Sequence, residues 1–93
     1  MIFESDPEKE AANVEKHGVD FSTVGIVFVD PHCLIVANEE HSTPDEPRFY
    51  AIGWDGRGVL TVRFTRRDDA VRIIGAGYWR KQRRAYENNK TKS

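Results

Sequence analysis

Arg48, Arg63 and Arg72 are the residues best suited to chemistry, because strand alternation puts each of them opposite an apolar set. Leu60, Val62 and Phe64 alternate with Thr61, Arg63 and Thr65. Successive side chains of a strand point to opposite faces, so Arg63 lies away from the apolar side. Arg72 stands in the same relation to Val71 and Ile73, and Arg48 to Phe49 and Ala51. A guanidinium carries a fork of N–H donors that matches phosphate oxygens. Three such forks on one sheet face predict a phosphate site. The competing reading is three separate surface arginines, or an arginine paired with Asp or Glu.

The other reactive residue types give less. His17, His32 and His41 lack close ligand spacing, and the one cysteine, Cys33, rules out a multi-cysteine zinc motif. No metal and no cofactor is therefore expected. Cys33 sits in an apolar run and reads as a small buried hydrophobe. His17 ends a predicted helix, where a cation is favoured for structural reasons alone. Gly53, Gly56 and Gly58 flank a turn, and no phosphate loop follows. Near the C-terminus Arg80, Lys81, Arg83, Arg84, Lys90 and Lys92 are interleaved with Tyr78, Trp79 and Tyr86. Charge and stacking together hold a nucleic-acid strand. Alternatively the aromatic stripe packs on a sheet, and the basic face is solvated or docks an acidic partner.

The elements that must position these groups fit into one domain of 93 residues, with 39% apolar and 31% charged residues. The net charge of −1 conceals an asymmetry: residues 1–47 sum to −9 and residues 63–93 to +7. A basic C-terminal half points to nucleic acid or an acidic partner. No apolar run approaches a membrane span. The opening MIFESDPEKE predicts no secretory signal, so a cytoplasmic protein is expected.

Asp6 as cap, Pro7 at the first helical position and Gly18 as C-cap predict a helix over 7–17. Residues 20–28 fit helical spacing with Asp20 as cap, while their β-branched residues favour a strand. Strands are predicted at 33–37, 48–53, 59–65 and 71–76. A polar loop over 38–47 reads as mobile, and Asp55-Gly56 marks a hairpin. From Tyr78 the chain turns helical, and residues 88–93 read as a fraying tail. Helices segregated from an antiparallel sheet make an α+β fold.

Several stretches resemble the BrnT toxins of type II toxin–antitoxin modules. They are FESDPEKEAANVEKHGVDFSTVGIVFVD, PRFYAIG, LTVRFT and RIIGAGYWRKQRRAYEN. The most specific pieces are Asn13 with Lys16-His17-Gly18-Val19 and Phe21, the strand from Arg48 to Gly53, Arg72-Ile73-Ile74, and Arg83-Arg84 with Tyr86-Glu87. The resemblance covers nearly the whole chain. It implies a RelE-like fold with two N-terminal helices, a four-stranded antiparallel sheet and a C-terminal helix, which resolves residues 20–28 as helix. It also implies a ribonuclease that inhibits translation and is neutralised by a ribbon-helix-helix antitoxin. The promoter DNA of the module would be bound only through that antitoxin, within a homodimer or a toxin–antitoxin hetero-oligomer.

On that reading Arg48 and Arg72 stabilise the phosphate with Arg63 in support, and His17 or Lys16 moves the proton. Tyr78, Arg80, Arg83 and Arg84 hold the RNA strand. Trp54, at a hairpin tip, is the anchor expected for the antitoxin. The chain departs from the family pattern at Ser5, where Trp is frequent, and at Gly75 and Gly77, where Ser and Arg are usual. The lost hydroxyl and cation motivate an alternative: a catalytically inactive, toxin-like binding module serving as antitoxin-bound co-repressor or RNA binder.

Overall fold

The computed structural model describes residues 1–92. The chain runs β1 (Ile2–Glu4), α1 (Pro7–His17), α2 (Val24–Val29), β2 (Leu34–Ala37), β3 (Arg48–Trp54), β4 (Val59–Arg67), β5 (Ala70–Gly77) and α3 (Arg80–Lys92). The strands form one sheet in the order β1-β5-β4-β3-β2.

This is the expected α+β class with two corrections. The sheet has five strands rather than four, and it is mixed, because β1 pairs parallel to β5. A three-residue strand with every side chain exposed has no alternation to reveal it. The second helix begins at Val24, later than expected. Asp20 does not cap it: its carboxylate accepts from the backbone and hydroxyl of Ser22 and closes a turn. Residues 88–92, read as a loose tail, continue α3, and Ser93 lies outside the described residues.

The first helix forms as its caps dictate. Asp6 accepts from the Glu8 N–H at 2.9 Å, and Gly18 adopts φ 68° while its N–H reaches the Val14 carbonyl. α1 is fastened to β5 by the buried Asn13. Its Nδ2 donates to the carbonyls of Val19 and Ala76, both at 2.8 Å, and its Oδ1 accepts from the Ala76 N–H at 3.1 Å.

Both sheet faces carry a core. On one, Val24 and Val27 of α2 bury Ala51, Leu60, Val62, Phe64, Val71 and Ile73. On the other, Tyr86 of α3 covers Ile52 and Val59. Two Asp–Tyr pairs tie the layers together. Tyr86 donates to Asp30 at 2.6 Å, and the same carboxylate accepts from the Trp54 N–H at 2.7 Å. Tyr78 donates to Asp55, which also accepts from the N–H groups of Arg57 and Gly58 in the β3–β4 turn. Burial opposes ionisation of both carboxyls, but these donors outweigh it and hold them below the ordinary carboxylate range.

Candidate active site

The face left open by α3 carries the arginines. Register places Arg48 opposite Thr65 and Thr65 opposite Arg72, so the three share one row and one side of the sheet. Arg63 stands on the same side, opposite Tyr50 and Gly75. The pairing slips between Arg63 and Phe64. Both Ile74 and Gly75 therefore face Arg63, and Ala76 returns to the core. Such a bulge re-aims side chains, here making the wall of the site.

Two cavities share Arg63 and Ile74. One, of about 170 Å³, is completed by Lys9, Ala12, Asn13, Lys16 and His17 from α1. The other, of about 60 Å³, is completed by Asn38, His41 and Arg48. Arg63 is held by an aromatic ring rather than by an acid. Its guanidinium carbon lies 5.7 Å from the centre of the Trp79 ring, which meets the His17 imidazole in a T-shaped pair with ring centres 5.3 Å apart. Its buried Nε has no hydrogen-bond partner among the described residues.

The close approach depends on two glycines. A Cβ on Gly75 would stand 2.4 Å from an Arg63 nitrogen, and one on Gly77 would stand 2.6 Å from the Trp79 ring. The missing side chains at positions 75 and 77 therefore leave room for the arginine and the indole to approach β5.

The structure brings Arg48, Arg63, Lys16 and His17 to these adjoining cavities. Arg48 also pairs with Glu46 at 3.3 Å. Arg72 lines neither cavity: it pairs with Glu4 across the β1–β5 edge at 3.7 Å. Arg80 and Arg83 border a separate groove with Tyr78 and Trp79, while Arg84 is exposed on α3. The Tyr78 ring is half exposed, but its hydroxyl is committed to Asp55, and burial together with that bond raises it to about 12. Trp54 is 49% exposed at the end of β3, so its indole does not fold into the core.

Sequence reasoning missed His41. The 38–47 segment is organised by a 3-10 turn at Glu39–His41 and by Ser42, whose hydroxyl donates to the Asn38 carbonyl and accepts from the Arg48 N–H. These bonds place His41 beside Arg48. A histidine inside a polar stretch with two prolines carries no signal for that position.

The profile of one family, described as ribonuclease toxin, BrnT, of type II toxin-antitoxin system, matches residues 6–83. The chain belongs to the BrnT toxin family. No curated protein matches it. Membership implies an antitoxin partner and an RNA substrate for this BrnT chain. Among the described residues no helix is long and apolar enough to cross a membrane.

Proposed function

We propose that this BrnT chain is an endoribonuclease that cleaves RNA without a metal and thereby inhibits translation. The observation that carries the reading is the Arg63 guanidinium. It is stacked on Trp79, free of any carboxylate among the described residues, and shared by two cavities that also hold Lys16, His17 and Arg48. An RNA phosphate seated on Arg63 would meet Arg48 on one side and the end of α1 on the other. Cleavage then proceeds by attack of the 2′-oxygen on the adjacent phosphorus. Preorganised cations stabilise the charge that develops on the phosphorane. His17 or Lys16 moves the proton. Geometry favours Arg63 as the central phosphate ligand with Arg48 beside it, and Arg72 as a more distant support. Arg80, Arg83 and Arg84 extend the positive surface along which the strand runs, and the half-exposed Tyr78 ring offers a face for stacking.

The antitoxin in this reading carries a ribbon-helix-helix domain and covers the same surface, linking the complex to its own promoter DNA. Incubating the purified protein with RNA in EDTA tests the proposal, using wild type beside Arg48→Ala, Arg63→Ala and Arg72→Ala. Cleavage that is lost in Arg63→Ala and weakened in Arg48→Ala supports it. Cleavage that survives in all three removes the site. Normal growth at high soluble expression without the antitoxin would favour the inactive binding module instead.

A further inference from the structure

The second cavity holds a group that the reading above leaves unused. We infer that His41 is a proton-transfer residue of the same reaction, working with His17 from the other side of Arg63. The inference rests on the ribonuclease reading and names the groups that complete its chemistry.

Attack of the 2′-oxygen forms an O2′–P bond and breaks the P–O5′ bond. The 2′-hydroxyl must lose a proton and the departing 5′-oxygen must gain one. The products are a 2′,3′-cyclic phosphate and a 5′-hydroxyl, so protons and charge balance with no co-reactant. In an in-line displacement the entering and leaving oxygens lie on opposite sides of phosphorus. Two proton-transfer groups are needed, one at each side of the phosphate.

The two cavities offer one imidazole on each side of a shared wall. Their common wall is Arg63 with Ile74. His17 stands in one, beside Lys9 and Lys16, with its ring against Trp79. His41 stands in the other, beside Asn38 and Arg48. Its own turn adds Glu39 and Glu40, and Glu46 reaches the same corner through its pair with Arg48. The titratable side chains lining the two cavities are Lys9, Lys16, Arg48, Arg63 and these two histidines. Lysine and arginine ordinarily stay charged at neutral pH, whereas imidazole both gives and takes a proton there. One histidine comes from a helix and the other from a loop 24 residues later, and the bulge in β5 puts Ile74 between them.

The experiment follows cleavage of a long mixed-sequence single-stranded RNA from pH 5 to 9 in EDTA, using the full chain, His17→Gln, His41→Gln and the double variant. The expected wild-type profile is bell-shaped. Each single variant should lose at least a hundredfold in rate at the optimum and one limb of the bell, a different limb in each case. Affinity for a 2′-O-methylated copy of the RNA, which cannot react, should stay within about threefold of wild type, the factor expected of a group that acts on protons and not on binding. Added imidazole should restore His41→Ala by tenfold or more. A His41→Gln variant with both limbs intact overturns the inference, whether its rate is unchanged or lower. Failure of imidazole to restore His41→Ala also overturns it. Absence of wild-type cleavage overturns the ribonuclease reading and this inference together, which separates the two failures.

Discussion

The guanidinium of Arg63 and the indole of Trp79 lie one over the other on the backbone of β5, at the two places where that strand has no side chain, Gly75 and Gly77. The stack supplies what a carboxylate otherwise would, a fixed position for the arginine, without neutralising its charge. A cation held that way remains available to an anion.

Arg63→Ala should therefore lower RNA cleavage by 10²–10³-fold, equivalent to ~3 kcal/mol of transition-state stabilisation. Arg63→Lys should recover little, because a lysine cannot reproduce the fork of donors. Initial rates on a defined RNA, beside thermal melts of each variant, measure this. A lysine variant near wild-type rate would mean that charge alone suffices.

Restoring a serine at position 75 should reduce activity, not improve it. Its Cβ would overlap the Arg63 guanidinium and approach the Asn13 Oδ1, 3.1 Å from the same point. The flexible arginine must leave its seat, so the cost falls on the position of the guanidinium. Gly75→Ser is expected to cleave at least tenfold more slowly. An activity gain would show that the missing hydroxyl matters more than the space.

Asn13→Ala should destabilise the fold by ~3 kcal/mol, because three hydrogen bonds are lost and buried backbone groups of Val19 and Ala76 are left without partners. Urea unfolding reads the change directly. A loss below ~1 kcal/mol would show that water replaces the amide.

The Asp–Tyr pairs make stability depend on pH at both ends of the range. Burial and the bond to Asp30 push Tyr86 up to about 12, above the ~10 of an unfolded chain. The folded state holds that proton longer, so the contribution is full below pH ~10 and is lost as pH rises toward 12. Asp30 and Asp55 are depressed instead. Their contribution is full above the unfolded value of ~4 and is lost as pH falls below it. Urea midpoints of wild type should form a plateau between these limits. Tyr86→Phe should lower the plateau and flatten the alkaline fall.

Trp54→Ala should weaken antitoxin binding by about thirtyfold, ~2 kcal/mol, while the free chain stays folded. The indole is exposed at the end of β3, while the backbone N–H of the same residue donates to Asp30. Calorimetry on the purified pair decides the point, and unchanged affinity would place the interface elsewhere.

What was legible in the sequence follows from the range of each interaction. The ends of α1 were written in Asp6, Pro7 and Gly18, which act within one turn. The arginine face was written in the alternation of β4, which is a property of the strand itself. The slip at Arg63/Phe64 was not, since alternation alone would send Gly75 rather than Ala76 to the core. The short β1 was invisible because the strand it pairs with, β5, lies more than sixty residues away in the chain. The start of α2 was misplaced because Asp20 has two local uses, and Ser22 took it. His41 was missed for the same reason as β1: its neighbours Arg48, Arg63 and Ile74 belong to other elements.

The parallel pairing of Ile2 with Ala70 has a consequence for the order of synthesis. Of these five strands β1 is made before the other four, and it waits for β5 before it finds its place. A chain halted before that point lacks Ile74, Gly75 and Trp79, and with them the seat of Arg63. A chain halted there carries Arg48 and Arg63 without the surface that positions them, so the charges are made before the geometry that aims them.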